Sequence, residues 1–97
     1  MAGTLFLGYW FAADTRVIVC RHVLEGSPAA LIAHHGDGDI QVLCDRPFHE
    51  KADAGFVDLG ELLFAIPEIG DAPDVRPGEW ALKDGLGPWR VSFNPED

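Results

Sequence analysis

The order of apolar runs and turns predicts an α+β domain, an antiparallel sheet of about five or six strands with one short helix packed on a face. Three observations predict it. Short β-rich runs recur between clusters of turn residues. A single stretch, Asp58 to Ile66, carries its apolar residues at helical spacing. The chain has 97 residues, 47% of them hydrophobic, enough for a single domain, 1–97, with one core.

The first run is Thr4 to Ala13, TLFLGYWFAA. It is shorter than the ~20 residues that span a bilayer, and no positively charged segment precedes it as in a signal peptide. Read as one strand, it puts Leu5, Leu7, Tyr9 and Phe11 on one face and Phe6 and Trp10 on the other. Aromatics on both faces suit a covered edge, closed by the chain's own core or by a second copy in a homodimer.

Val17 to Val23 is the next strand, bounded by Asp14-Thr15 and by Glu25-Gly26-Ser27-Pro28. Alternation gives Val17, Val19 and Val23 one face and Ile18, Cys20 and His22 the other. Ala29 to His34 and Ile40 to Cys44 form a hairpin about the glycine-rich turn 35–39, and Asp45-Arg46-Pro47 stops the return strand. The connections are short, so the expected arrangement of these three strands is an antiparallel meander.

Pro47 to Gly55 is polar and reads as a loop. Asp58, with Glu61 three residues on, resembles a capping box, and Leu59, Leu62, Leu63 and Ile66 make one helical stripe that ends at Pro67. Glu68 to Gly78 is a connector pegged by Ile69 and Val75. Glu79 to Lys83 and Trp89 to Phe93 form a last hairpin, with Trp80 and Trp89 expected as a cross-strand aromatic pair.

Sixteen acidic residues against seven basic ones give a net charge of −9. That balance excludes binding driven by nucleic-acid phosphates or anionic membranes, both of which need positive charge. It suits a basic protein partner. The carboxylates that cluster around the loop and helix start, Glu50, Asp53, Asp58 and Glu61, together with Asp74 in the connector, are the expected partner-binding residues. The expected activity is therefore binding and not catalysis. A thiol nucleophile at Cys20 with His22 or His49 as base would need an oxyanion hole, and no glycine-rich turn or helix N-terminus follows either cysteine. Two cysteines make no disulfide framework; buried thiols in a reducing cytoplasm are the expected state, with a single Cys20–Cys44 disulfide across one sheet as the alternative. No cofactor is required by this reading. The alternative is a zinc-stabilised module with Cys20, His22, Cys44 and His49 as ligands, four donors of the types structural zinc takes. Their spacing matches no C-x2-C or H-x3-H knuckle.

The segments VIVCRHVLEG, HGDGDIQVLCD with His49 after it, VDLGELLFAIPEI and GEWALKDGLGPWRV resemble a family of small bacterial proteins, long of unknown function, taken to be immunity proteins of polymorphic toxin systems. The resemblance runs from about Arg16 to about Arg90. It implies an α+β fold, no active site, and neutralisation of a toxin by binding it in the cytoplasm. An acidic immunity protein suits a basic toxin, because complementary charge steers association.

Overall fold

The computed structural model describes residues 3–44, 54–83 and 88–95. Within them the chain is α+β. A six-stranded, mostly antiparallel sheet carries one main helix, and a separate two-stranded sheet precedes it.

The N-terminal run is a hairpin and not a single strand. β1 (Gly3–Phe6) and β2 (Tyr9–Ala12) pair about Leu7-Gly8. Both turn residues lie at positive φ, 57° and 87°, the conformation a tight hairpin turn with strand-matched twist demands. The turn resets the alternation. Leu5 now pairs with Trp10 on the outward face, and Phe6 with Tyr9 and Thr4 with Phe11 on the inward one. Phe6 and Leu7 are buried, whereas Trp10 is 75% exposed.

The main sheet runs β6-β3-β5-β4-β7-β8. Its strands are β3 (Arg16–Cys20), β4 (Leu31–His34), β5 (Ile40–Leu43), β6 (Ala54–Asp58), β7 (Glu79–Leu82) and β8 (Arg90–Phe93). The hairpin of β4 and β5 is antiparallel as expected, but the meander is not formed. β3 pairs with β5, in parallel, with Val17 opposite Ile40 and Val19 opposite Val42. The cause is a helical turn, α1 (Arg21–Leu24), where alternation had continued the strand to Val23. The amides of Glu25, Gly26 and Ser27 donate to the carbonyls of Arg21, Val23 and His22, and Gly26 at φ 115° ends the turn. The chain leaves the sheet there and returns one strand further out, so β5 fills the gap. Val23 is still fully buried, now from a helix. β6 is a strand that the polar run before it concealed. It pairs antiparallel with β3, Phe56 opposite Ile18.

The register puts Val57, Val17, Ile40 and His34 in one row and Val19, Val42, Ile32 and Ala81 in the next, on the same face. All but Val57 are buried. The other face carries Phe56, Ile18, Gln41, Trp80 and Ser92, all half-exposed or exposed, with Ala33 and Cys20 buried among them. The core therefore gathers on one face, completed by Leu59, Leu62, Ile69, Val75, Phe6 and Leu7. Ile69 and Val75 do act as the pegs of the connector, although Pro67–Asp71 adds a turn of 3-10 helix there. His34 is buried but satisfied: its Nδ1–H donates to the Val75 carbonyl at 2.8 Å, and the rings of Tyr9 and Phe11 approach it edge-on. The two tryptophans of the last hairpin do not pair. Trp80 stands opposite Ser92 and donates its Nε1–H to that hydroxyl at 2.9 Å, while Trp89 lies beneath the Lys83 ammonium. Trp89 is an odd number of residues before Ser92, so alternation sends it to the opposite face.

The helix, α2 (Leu59–Ala65), begins after Asp58 as expected, with Leu59 and Leu62 buried. The Asp58 side chain makes no cap hydrogen bond. Backbone carbonyls replace it: Leu59 N–H donates to Thr15 at 2.8 Å and Gly60 N–H to Ala13 at 2.9 Å. A Cβ on Gly60 would come within 3.2 Å of the Ala13 carbonyl oxygen, so glycine admits this close approach. Asp58→Ala is accordingly expected to change stability by less than about 0.5 kcal/mol, against the ~1 kcal/mol of a working N-cap. Urea denaturation of the two proteins measures the difference.

Candidate functional site

Among the described residues, three places collect chemistry-bearing residues. The first is at the carboxyl ends of β3 and β5. Because these strands are parallel neighbours, Cys20 at the end of β3 and Cys44 just after β5 arrive side by side. The Cys44 amide donates to the Cys20 Sγ at 3.4 Å. His22, the second residue of α1, turns back so that its Nδ1 lies 3.7 Å from the Cys44 Sγ. The three donor atoms lie within 4.8 Å of one another. Both thiols are buried and form no disulfide, and the imidazole is half-buried. Three of the four expected zinc ligands are thus brought together, though His22 arrives from a helical turn and not from alternation along a strand. His49 lies outside the described residues.

The second place is a groove of about 320 Å³ between α1 and the C-terminal end of α2. Leu24, Ala65, Ile66 and Pro67 supply apolar walls, and the acidic residues Glu25 and Glu68 line it with them. Among the described residues, no lysine or arginine lines it. Phe64, on the last turn of α2, is 88% exposed. Sequence reasoning passed over this groove, because Glu25 reads as part of a turn and Glu68 as part of a connector. Only the packing of α1 beside α2 joins them.

Of the expected partner-binding residues, Asp58, Glu61 and Asp74 are described, the first two at the start of α2. Glu50 and Asp53 lie outside the described residues. Asp58, half-buried, sits opposite Arg16 in the register of β6 and β3. Glu61 is exposed in the first turn of α2. Asp74 lines the third place, a depression shared with Gly8, Tyr9, Arg76, Glu79 and Val91, and Arg76 there stands 3.9 Å from Glu79. No helix among the described residues is long and apolar enough to cross a membrane.

No protein-family model matches this chain, and neither the curated proteins nor the solved structures contain a match to it.

Proposed function

We propose that this protein is a non-catalytic binding domain for a basic protein, of the immunity type that neutralises a toxin by occupying it. The observation that carries the reading is the groove between α1 and α2. Its apolar walls suit the methylene stem of a lysine or arginine, and Glu25 and Glu68 suit the charged head. The net charge of −9 adds a long-range field that draws in a basic partner and raises the association rate. Exposed Leu24 in the groove wall, and exposed Phe64 one residue before Ala65 of that wall, supply the apolar contact that charge alone lacks.

The test has two steps. Tagged protein is used to capture its partner from its own host, and the affinity of the purified pair is then compared with that of the double variant Glu25→Lys, Glu68→Lys. One stoichiometric basic partner, released by raised salt, is expected. Its affinity for the double variant should fall at least tenfold, about 1.4 kcal/mol. A bait that retains no stoichiometric protein sinks the binding reading. A partner that holds the double variant as tightly as the parent removes the groove from the contact.

A further inference from the structure

The geometry points to a metal site formed by Cys20, His22 and Cys44, suited to a borderline-soft divalent cation, zinc(II) above all. This goes beyond the partner-binding reading and rests on no part of it.

The donor set is the first argument. Two thiolate sulfurs and one imidazole nitrogen are ligands that zinc prefers, and hard cations such as magnesium or calcium decline them. Distance is the second. A tetrahedral zinc with ordinary Zn–S and Zn–N bonds sets its ligand atoms about 3.6–3.8 Å apart. The Cys44 Sγ and His22 Nδ1 already stand at 3.7 Å. The whole set lies within 4.8 Å, so closing on an ion asks for movement of about an ångström or less, within the reach of side-chain torsions.

Placement is the third argument. The thiols sit at the carboxyl ends of two hydrogen-bonded strands, held by the backbone and not by a loose loop. The Cys44 N–H donates to the Cys20 sulfur, the kind of hydrogen bond that orients a metal-bound sulfur. Burial of the two sulfurs protects them from oxidation, while the half-buried imidazole leaves a route for the ion from solvent. Three protein ligands leave a fourth position for water or another donor.

Binding is a balanced exchange. Two thiols lose their protons, two Zn–S bonds and one Zn–N bond form, and two protons leave per zinc. No electron is transferred. Affinity accordingly weakens as pH falls, because protons compete for both sulfurs.

The experiment uses the full chain, reduced and stripped with chelator, titrated with cobalt(II) and then with zinc(II). One cobalt per chain is expected, with thiolate-to-metal charge-transfer absorption and the visible bands of a tetrahedral ion. Cobalt uptake should release about two protons per chain, and added zinc should erase both absorptions with no further proton release. Cys44→Ser should abolish the charge-transfer absorption. Should that variant fail to fold, His22→Gln serves instead. Its side chain is half-buried on a turn, and its affinity for zinc should fall by at least about a hundredfold, more than outer-sphere changes cause. No uptake by the folded, reduced protein would overturn the site. So would cobalt bound without thiolate charge transfer, or zinc bound by His22→Gln as tightly as by the parent. None of these results bears on partner capture, so the two readings fail separately.

Discussion

Ile32→Ala is expected to cost about 3–4 kcal/mol of folding stability. Ile32 is fully buried on β4, between β5 and β7, with Val42 on one side and Ala81 on the other. Both flanking strands are hydrogen-bonded to it, so the backbone cannot close over a lost side chain. Ala81 is too small to lean into the space. The loss therefore combines the transfer of the removed methylenes with an unfilled cavity. A domain of this size has a margin of roughly 5–15 kcal/mol, so the variant should show a much lower urea midpoint with an unchanged slope. Phe93→Ala is the control. Phe93 is 82% exposed on the edge strand β8, and its removal should shift stability by no more than about 0.5 kcal/mol. A loss of under about 1.5 kcal/mol for Ile32→Ala, below the range for buried isoleucines, would show that this row of the sheet is loosely packed.

Gly8→Ala is expected to cost about 2–3 kcal/mol, from two separable sources. Gly8 has φ 87° in the turn between β1 and β2, a region where a Cβ is strained. The added Cβ would also lie 2.8 Å from the Asp74 Cγ and 3.2 Å from its Cβ. Those atoms belong to a short side chain beside the anchor of the connector, where Val75 N–H donates to the Leu7 carbonyl at 3.0 Å. Moving Asp74 aside disturbs Val75, which is fully buried. Gly26→Ala separates the two sources. Gly26 has φ 115° but nothing within 4 Å of its would-be Cβ, so it reports conformational strain alone, about 1 kcal/mol. Equal losses at the two glycines, measured by urea denaturation, would mean that the steric contact with Asp74 is relieved at no cost.

Much of the fold was legible from local signals. The apolar runs of β4, β5 and β7 were bounded by turn residues, and Leu59, Leu62 and Ile66 announced α2. Ile69 and Val75 stood out as lone apolar residues in a proline-rich stretch, and both are buried. The misreadings share a physical pattern. At Leu7-Gly8 and at Arg21–Leu24 an apolar run hides a change of direction, and alternation counted through such a point assigns the wrong face. At β6 the strand begins in a polar run and carries Gly55, and among the described residues it pairs with β3 alone.

The candidate sites divide along the same line. Residue identity alone determined that the chain is acidic and that Cys20, His22 and Cys44 are ligands of the zinc-preferring kind. Those are properties of side-chain chemistry and of sums over the chain, and they survive any rearrangement. Tertiary structure alone decided which residues meet. The parallel pairing of β3 with β5 juxtaposes sulfurs 24 residues apart in sequence, and the packing of α1 beside α2 brings Glu25 and Glu68 to one groove. Neither follows from local propensity, because both depend on which strand fills the gap opened by a four-residue helical turn, and burial of the sheet as a whole makes that choice.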